Sequence, residues 1–465
     1  MGQYKAATKS LEAALNTLSS MSSISCKEKE SNAAILKQAI VKFSKREDTK
    51  EEKEEEEQGA KEEPRLVLKE GEEEEGVASC LSVRSTEGAG RHTVANQQIA
   101  AGTLLATGEP AVALLNPDNK NLVTQFCLNC LRSLTTPFPC LTCTSVAFCS
   151  PTCRAKAIFH QPQCQLDLYR HRQHDTEVAF NLFLPLKWLW QKPFNFFREN
   201  WNEKGELVGK VDLEYARMWS MVTHLETRNW ASLVNVVVVT IFLIRCNRLT
   251  TYCCEDLQPS DEAFSLEEEW LGGILAHIFM VQDMNSHPFF GLDRGKQLNQ
   301  VGLENLGSAI YPVVGRHFNH SCAPNTIRVN CGTKVYLISS ATIEEGEEAC
   351  DIYSMHFSEI CKQRRQDWLS RLFHFSCGCK ACSEDWPTFD HLDSSLPPDL
   401  MAKLQVIEKC IQSALGKGNL SLALDLHLRD QRLLEAAGLG FQQLAISLRN
   451  SLQCTVWRFV HSLPS

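Results

Sequence analysis

The alternation of apolar and polar positions divides the chain into stretches of different secondary structure. From Cys80, "CLSVRSTEGAGRHTVANQQIAAGTLLATGEPAVALL" has short β-prone runs broken by glycine, which predicts small strands and turns. Residues 165–300 have mainly helical patterns, as in "EEEWLGGILAHIFMVQDM". Residues 309–353 return to short strands and turns, and the chain after Cys382 is predicted to be helical to its end. This pattern predicts an α+β fold.

The most apolar stretch is "LVNVVVVTIFLI", Leu233 to Ile244. Its 12 residues fall short of the ~20 that a membrane-spanning helix needs. We interpret it as a buried core element. The β-branched residues at 236–241 favour a strand by propensity, and the pattern alone leaves strand and helix open.

The N-terminal residues predict an amphipathic helix whose apolar face consists of Tyr4, Ala7, Leu11, Ala14 and Leu15. That spacing resembles the second helix of a tetratricopeptide (TPR) unit, and a generic amphipathic helix is the alternative. Since the first helix of the unit is absent, we expect a truncated or atypical start. "SNAAILKQAIVKF" predicts a second helix at 31–43, and "EDTKEEKEEEEQGAKEE" lies in an acidic linker at 44–78, a plain spacer or a binding tail.

Charge and composition restrict the function. Of the formal net charge of −9, the acidic stretch 45–76 carries −8, with 15 acidic and 7 basic residues. The absence of a large basic excess argues against nonspecific binding of nucleic acid. The 465 residues suffice for two to four domains at about 150 residues each. No secretory signal is visible, so we expect the 21 cysteines to lie in a reducing compartment, where clusters indicate metal binding or catalysis.

Residues 127–164 carry the strongest chemical signal. Seven cysteines and one histidine follow one another at short, regular intervals; they are Cys127, Cys130, Cys140, Cys143, Cys149, Cys153, His160 and Cys164. Zinc takes four such ligands, and a two-residue gap brings two thiolates to one ion, so eight ligands predict two zinc ions. The last four stand at i, i+4 spacing and can project from one face of a helix. Scattered buried cysteine is the alternative.

The order of these ligands resembles the MYND finger, in which two zinc sites interleave. The resemblance implies one ion on Cys127, Cys130, Cys149 and Cys153. It implies the other on Cys140, Cys143, His160 and Cys164. Closed sites of this kind are structural, and we expect them to support a protein-binding surface.

A second cluster lies downstream in "SCGCKACSE", which contains Cys377, Cys379 and Cys382. Three thiolates leave zinc one ligand short. Cys322, in "HFNHSCAPNT", is a candidate for the fourth ligand. A disulfide or free thiols are the alternative.

Three further motifs carry a specific resemblance. "NHSCAPN" (319–325) resembles the signature of SET-domain lysine methyltransferases, "IEEGEEACDIY" (343–353) their Gly-Glu turn and catalytic tyrosine, and "GAGR" (88–91) their cofactor loop. A SET domain split by a MYND finger is the layout of the SET and MYND domain-containing (SMYD) family, and "SAIYP" and the TPR-like helices are most similar to its TPR-bearing member. The resemblance covers roughly 80–384.

The resemblance implies a division of the chain into eight parts. They are partial TPR-like helices (1–43), acidic linker (44–78), N-terminal SET part (79–126), MYND zinc finger (127–164), helical SET insertion (165–300), C-terminal SET part (301–360), post-SET zinc segment (361–386) and C-terminal helical TPR-like region (387–465). It also implies a knot-like crossing of the signature with the strand that carries Tyr353.

The family chemistry implies that S-adenosylmethionine donates a methyl group to a lysine side chain of a protein. The expected cofactor-binding residues are Glu87, Gly88, Ala89, Gly90, Asn285, Asn319, His320, Tyr353 and Phe375. Tyr353 is the expected catalytic residue, and Phe373 the expected aromatic lining of the lysine channel. Glycines at 88 and 90 allow close approach of a ligand to the main chain. The lysine amine must be neutral to attack, and a dry channel beside a sulfonium favours that form.

Two departures from the family pattern keep a second hypothesis open. Acidic Glu87 stands where a basic residue is common, and Ala89 offers no side-chain hydrogen bond. Arg316 and His317 replace small or apolar residues. The alternative is therefore a silent SET scaffold that recruits protein partners through MYND and TPR-like surfaces. We expect three zinc ions, no direct nucleic-acid or membrane partner, and localisation to cytoplasm and nucleus.

Overall fold

The structure is a computed structural model that describes residues 33, 37, 76–116, 119, 122–143, 145–166, 180–202, 206–252, 264–292, 303–439 and 443–462. Nearly all of the predicted N-terminal helices and of the acidic linker lies outside these residues. The chain forms two compact units. Among the described residues, the first unit comprises residues 33 and 37, Val112–Phe290 and Glu304–Ile310. The second comprises residues 76–111, 291–292, 303 and those from Tyr311 onward.

Among the described residues, ten strands form two hairpins and two three-stranded sheets. They are β1 Leu81–Thr86, β2 Gly90–Ala95, β3 Leu104–Gly108, β4 Val112–Leu115, β5 Phe138–Pro139, β6 Ala147–Phe148, β7 Ser286–Leu292, β8 Leu303–Ile310, β9 Thr326–Cys331 and β10 Lys334–Ser339. The sheet orders are β1-β2, β3-β10-β9, β4-β8-β7 and β5-β6. The short strands predicted for 80–115 and 309–353 are confirmed.

The α-helices of the described residues are numbered in chain order. They are α1 Leu122–Gln125, α2 Pro151–Lys156, α3 His160–Leu166, α4 Phe180–Trp190, α5 Phe194–Asn200, α6 Leu213–Trp219, α7 Trp230–Arg248, α8 Leu266–Asn285, α9 Pro312–Gly315, α10 Lys362–Phe373, α11 Lys380–Ser383, α12 Pro398–Gly416, α13 Leu420–Ala436 and α14 Gln443–Ser462. Short 3₁₀ turns occupy Leu225–Thr227 and Phe389–His391. The mainly helical character predicted for 165–300 and for the C-terminal region is confirmed.

The first unit contains the helical layer and the cysteine-rich segment. Helix α8 begins in a capping box, in which Ser265 and Glu268 bond each other's main-chain N–H groups. Its apolar stripe packs against α4 and α7, and α4 in turn contacts β4 and α3. These contacts attach the cysteine-rich segment, which includes α2 and α3, to the helical layer of the same unit.

Helix α7 decides one feature that the sequence left open and corrects another. The apolar run at 233–244 is part of a 19-residue helix rather than a strand, started by the Asn229 side chain, which accepts a hydrogen bond from the Ser232 N–H. It is also only half buried: one face contains Val236, Val239, Leu243 and Ile244, whereas Val237 and Val238 on the other are 56% and 58% exposed. Tertiary packing on one side outweighed the strand propensity of valine.

Helix α7 has 19 residues, whereas the apolar run that was judged too short for a membrane span has 12. Among the described residues, α7 alone is long and apolar enough to cross a membrane by length and composition. Core helices of soluble proteins pass the same test, and α7 packs against α4 and α8. The length of the run therefore decides nothing about a membrane.

The second unit contains a β core and a helical C-terminal region. Strand β10 pairs with both β3 and β9, and its Val335 and Leu337 are fully buried. The β9–β10 turn has two residues, and Gly332 adopts a φ of +59°, as two-residue hairpin loops require. The hydrophobic core of this β region contains Leu81, Ile99, Leu105, Phe318, Leu337, Ile343 and Ala349.

The C-terminal helices α12, α13 and α14 pack in sequence, each against the next. Leu404, Leu434 and Ala445 form their shared core. Helices α12 and α13 form a helical hairpin, in agreement with the helical character predicted for the chain after Cys382. The Glu435 carboxylate accepts a hydrogen bond of 2.8 Å from the Thr342 hydroxyl, which joins α13 to the β core of the same unit.

Candidate functional site

The first part of the site is the turn of the β1–β2 hairpin in the second unit. The turn Glu87–Ala89 joins the two strands, and Gly90 has a φ of +62°, a conformation that glycine adopts at little cost. A Cβ atom built on Gly88 or Gly90 meets no heavy atom within 4 Å. The main chain of this turn is therefore open to a ligand. Glu87 is exposed on it.

The signature at 319–325 lies directly against this turn. The Asn319 side-chain Nδ2 donates a 2.9 Å hydrogen bond to the Ala89 carbonyl oxygen. The Thr93 hydroxyl on β2 donates a buried 2.8 Å bond to the His317 carbonyl oxygen. Asn319 and Ala89, which are 230 positions apart in the sequence, are thus in direct contact.

The signature also pairs with the segment that carries Tyr353. His320 and Asp351 form a parallel bridge, in which the Asp351 N–H donates to the Asn319 oxygen and the Ser321 N–H to the Asp351 oxygen, both at 2.9 Å. The Asp351 carboxylate is buried and forms an ion pair with Arg328 on β9. The contact predicted between these two segments is present, and their threading as a knot stays a prediction.

Tyr353 is held at both ends. Its hydroxyl donates a 2.8 Å hydrogen bond to the Phe318 carbonyl oxygen, and its main-chain N–H donates to His320 Nδ1 at 2.9 Å. Burial, followed by the nearby charges of Asp351 and Cys350, raises the pKa of the Tyr353 hydroxyl. The side chain therefore stays protonated near neutral pH.

Aromatic rings surround the Tyr353 ring on the side of α10. The centroid of Phe373 lies 5.5 Å from it and that of Phe375 6.5 Å, while Phe375 is also 6.0 Å from the His320 ring. His374, between the two phenylalanines, has a φ of +57°, and this left-handed turn follows the end of α10. Phe373 and Phe375 thus both reach the Tyr353 ring.

The His320 ring is buried, and burial lowers its pKa to about 4, so that it is neutral. Both ring nitrogens contact protein atoms: Nδ1 accepts a hydrogen bond from the Tyr353 main-chain N–H, and Nε2 lies 3.3 Å from the Cys322 sulfur. The His320 ring is therefore engaged by protein atoms, and the expected contact of this residue with a cofactor stays a prediction.

Asn285 lies in the first unit, at the last position of α8. Its side-chain Nδ2 donates to the carbonyl oxygens of Val222 and Val281, at 2.9 and 2.7 Å. Its expected contact with a cofactor stays a prediction.

In the part of the chain that the structure describes, three groups of four ligand atoms are close enough to hold a metal ion, with all atoms of a group within 4.8 Å of one another. The first site comprises Cys127, Cys130, Cys149 and Cys153; the second comprises Cys140, Cys143, His160 and Cys164; the third comprises Cys322, Cys377, Cys379 and Cys382. These groupings, including the choice of Cys322 as the fourth ligand of the third site, agree with the sequence prediction. Four sulfur or nitrogen atoms at this separation fit zinc.

The ligands of the first two sites do not share one helix. Cys149 precedes α2 and Cys153 lies in it, while His160 and Cys164 lie in α3. The Ser150 cap and Pro151 start α2, and Ala157 ends it. Cys149 and Cys153 therefore flank the start of α2, and the pair His160 and Cys164 alone lies within one helix. His160 Nδ1 lies 3.2 Å from Gln163 Oε1, which leaves Nε2 free to face the ion.

The structure adds two buried cations that sequence reasoning missed. Arg365 of α10 is fully buried and donates to the Phe357, Ile360 and Ala381 oxygens and, at 3.6 Å, to the Cys382 sulfur of the third site. In the first unit, Lys187 lies 4.1 Å above the Phe159 ring and near the Leu128 oxygen, and burial lowers its pKa to about 7. The signal for Lys187 was a lysine within the apolar "FNLFLPLKWLW".

Comparison with known proteins decides the family. The SET domain family matches residues 90–354, more than half of the chain. The chain belongs to the SET-domain family. With the cysteine-rich segment at 127–164 and the relatives below, it is a member of the SET and MYND domain-containing (SMYD) family.

Several curated relatives of this SMYD chain carry methyltransferase names. "Protein-lysine N-methyltransferase SMYD4" of Mus musculus is 23% identical over 367 residues, which cover 63% of this chain and 44% of the relative. Its Homo sapiens counterpart is 22% identical over 370 residues, 64% and 45% respectively. "N-lysine methyltransferase SMYD2-B" of Xenopus laevis is 37% identical over 90 residues, 19% of this chain and 20% of the relative. The SMYD chain thus matches less than half of the length of the SMYD4 relatives.

Proposed function

We propose that this SMYD chain transfers a methyl group from S-adenosylmethionine to a lysine side chain of a protein. One observation carries the proposal: the cofactor loop, the signature and the tyrosine segment are joined by direct hydrogen bonds, from Asn319 to Ala89 and from Tyr353 to Phe318. Membership of a family of protein-lysine methyltransferases supports it.

The residues at the turn fit the expected cofactor. The open main chain at Gly88 and Gly90, the main chain of His320 and the ring of Phe375 would hold S-adenosylmethionine, with Asn319 fixing the loop. When bound, this cofactor supplies a methyl group on a positively charged sulfur. The exposed carboxylate of Glu87 can pair with the ammonium of its amino-acid part.

The aromatic side chains would prepare the lysine for attack. Phe373 and Phe375 exclude water beside Tyr353, and loss of hydration favours the neutral amine over the ammonium. The Tyr353 hydroxyl donates a hydrogen bond to the Phe318 oxygen and has a raised pKa. Because it stays protonated, it does not act as the base. Its oxygen lone pairs orient the amine and the methyl group, so its contribution is positioning.

A peptide-array assay with labelled cofactor tests the proposal. We expect transfer to lysine-containing peptides, and loss of about two orders of magnitude or more in Tyr353→Phe, with unchanged zinc content. Tyr336→Phe on β10 is the matched control, and it should retain activity. Full transfer by Tyr353→Phe would show that another residue places the amine.

The second candidate function is a silent SET scaffold that recruits protein partners. It is favoured by exposed Glu87 and by Ala89, whose lack of a polar side chain leaves the loop without a side-chain donor at that position. Calorimetry separates the two functions. Binding heat and a thermal shift with S-adenosylmethionine support the enzyme, whereas neither, in a chain with its full zinc content, supports the scaffold.

We also propose the setting of the activity. The MYND finger and the C-terminal helices would bind protein partners, and the sequential packing of these helices supports the TPR-like interpretation. All three clusters would hold zinc, and the third would be the post-SET site. Nucleic acid and membrane are not expected partners. Localisation to cytoplasm and nucleus is testable by imaging the tagged chain, and accumulation in a secretory compartment would contradict it.

A further inference from the structure

The His320 ring is held at both of its nitrogens. The Tyr353 main-chain N–H donates to Nδ1 at 2.9 Å, and Nε2 lies 3.3 Å from the Cys322 sulfur. A nitrogen that accepts a hydrogen bond carries no proton, so a neutral ring must carry its proton on Nε2. The Nε2–H group therefore donates to the Cys322 sulfur.

Cys322 belongs to the third site. Its sulfur lies 3.5 Å from that of Cys382 and 4.0 Å from that of Cys377, in a buried core with Phe357, Leu369 and Ile446. A zinc-bound thiolate keeps negative charge and accepts N–H hydrogen bonds, and donors of this kind fix the orientation of metal ligands. The His320 ring thus touches the metal site on one edge.

The other edge of the ring reaches Tyr353. The Nδ1 contact fixes the Tyr353 main chain, while the tyrosine hydroxyl bonds the Phe318 carbonyl oxygen. The two ring centroids are 5.4 Å apart. One side chain therefore connects the third site with the expected catalytic residue.

We propose that His320 is a positioning residue that makes the placement of Tyr353 depend on zinc at the third site. Zinc held by the third site would fix the position of the Cys322 sulfur. That sulfur accepts the Nε2–H group, and Nδ1 accepts the main-chain N–H of Tyr353. Loss of the ion removes the first of these constraints, and Tyr353 then loses the orientation that its ring contact provides. The consequence for methyl transfer rests on the proposed function, but the structural coupling does not.

Two substitutions separate the two ring nitrogens. His320→Asn places an amide oxygen near the position of Nδ1 and leaves nothing at Nε2. His320→Gln extends an amide N–H toward the position of Nε2 and leaves nothing at Nδ1. His356→Ala is the control, because His356 is a half-buried histidine of the second unit whose Nδ1 contacts the Ser358 hydroxyl and not a thiol.

Release of zinc from the full 465-residue chain to a chromogenic chelator gives the first measurement. We expect His320→Asn to release one zinc ion about tenfold to a hundredfold faster than the unchanged chain. His320→Gln and His356→Ala should retain it at the original rate. Equal release by His320→Asn and the unchanged chain would overturn the contact between Nε2 and the metal site.

The second measurement reports on Tyr353 itself. In a chain labelled with fluorotyrosine, Tyr353→Phe identifies the ¹⁹F resonance of Tyr353. We expect that resonance to shift in Cys377→Ser, which lacks a ligand of the third site, and in His320→Gln, which keeps the ion. It should stay in place in His356→Ala.

Stepwise removal of zinc from the unchanged chain provides the same test should Cys377→Ser fail to fold. A Tyr353 resonance that does not move when the third site loses its ion would overturn the coupling. Neither measurement requires methyl transfer. A chain without methyltransferase activity can therefore still show the coupling in both measurements. An active chain that fails both measurements would refute the coupling and leave the proposed function standing.

Discussion

At the scale of single residues, the site depends on side chains that are satisfied by main-chain atoms far away in the sequence. Asn319 bonds the Ala89 oxygen, Thr93 the His317 oxygen, and Tyr353 the Phe318 oxygen. Each bond fixes one segment against another, and loss of the buried Thr93 hydroxyl would leave the His317 carbonyl oxygen without that partner. Unpaired buried groups cost about 1–3 kcal/mol each.

Arg365 gives a prediction at this scale. Arg365→Met should remove the donor to three carbonyl oxygens and to the Cys382 sulfur. We expect the free energy of unfolding to fall by about 3 kcal/mol, as when one partner of a buried charge pair is lost. Urea unfolding measures it.

Arg371→Met on the exposed side of the same helix α10 is the control, and it should change the free energy by less than about 0.5 kcal/mol. A similar effect of both substitutions would mean that burial of Arg365 is not what matters.

The buried tyrosines give a pH-dependent prediction. Burial raises the pKa of the Tyr215, Tyr311 and Tyr353 hydroxyls. A pKa raised in the folded state contributes stability that is present below the unfolded value of about 10 and is lost as the pH rises above it.

Absorbance of tyrosinate at about pH 11 should therefore increase when the chain is unfolded by urea, because these three of the seven tyrosines remain protonated in the fold. Tyr353→Phe should reduce the increase by one residue. Complete ionisation before unfolding would contradict the burial of these hydroxyls.

At the scale of elements, helix α7 shows how one segment satisfies two environments. Its buried stripe packs against α4 and α8, while the opposite face exposes Trp230, Val237, Val238 and Phe242. Residues two apart on this helix therefore differ sharply in what a substitution does to stability.

Val239→Lys should lower the free energy of unfolding by about 3 kcal/mol, because it places a charge in the packed stripe. Val237→Lys, on the exposed face, should change it by less than about 0.5 kcal/mol. Chemical denaturation of both variants checks the expectation. If Val237→Lys were the more destabilising, the orientation of α7 would be wrong.

At the scale of the whole molecule, the described residues contain three clusters of candidate metal ligands, each of which joins separate segments of the chain. Two lie in the first unit and one in the second, where Ile446 of α14 packs into the core around the third. Candidate metal ligands and apolar side chains therefore share one core in the second unit.

Elemental analysis should find about three zinc ions per chain. Cys140→Ser and Cys377→Ser should each lower the count to about two, and the double substitution to about one, because the two residues belong to separate sites. Loss of more than one ion from a single substitution would show that the sites are not independent.

The sequence by itself determined the features that depend on local chemistry. Regular spacing of cysteine and histidine fixed the ligands of the first two sites, and periodicity fixed the α+β character. The motifs at 88–91, 319–325 and 343–353 indicated the family, since each keeps its residues within one short segment.

Only the tertiary structure decided what depends on neighbours distant in the chain. It made the valine-rich run a half-exposed helix, because packing against α4 and α8 outweighs intrinsic preference. It brought Arg365 to the third site and placed His320 between Cys322 and Tyr353. No sequence pattern contains these contacts, because hydrogen bonds and burial depend on separations in space that the folded chain alone establishes.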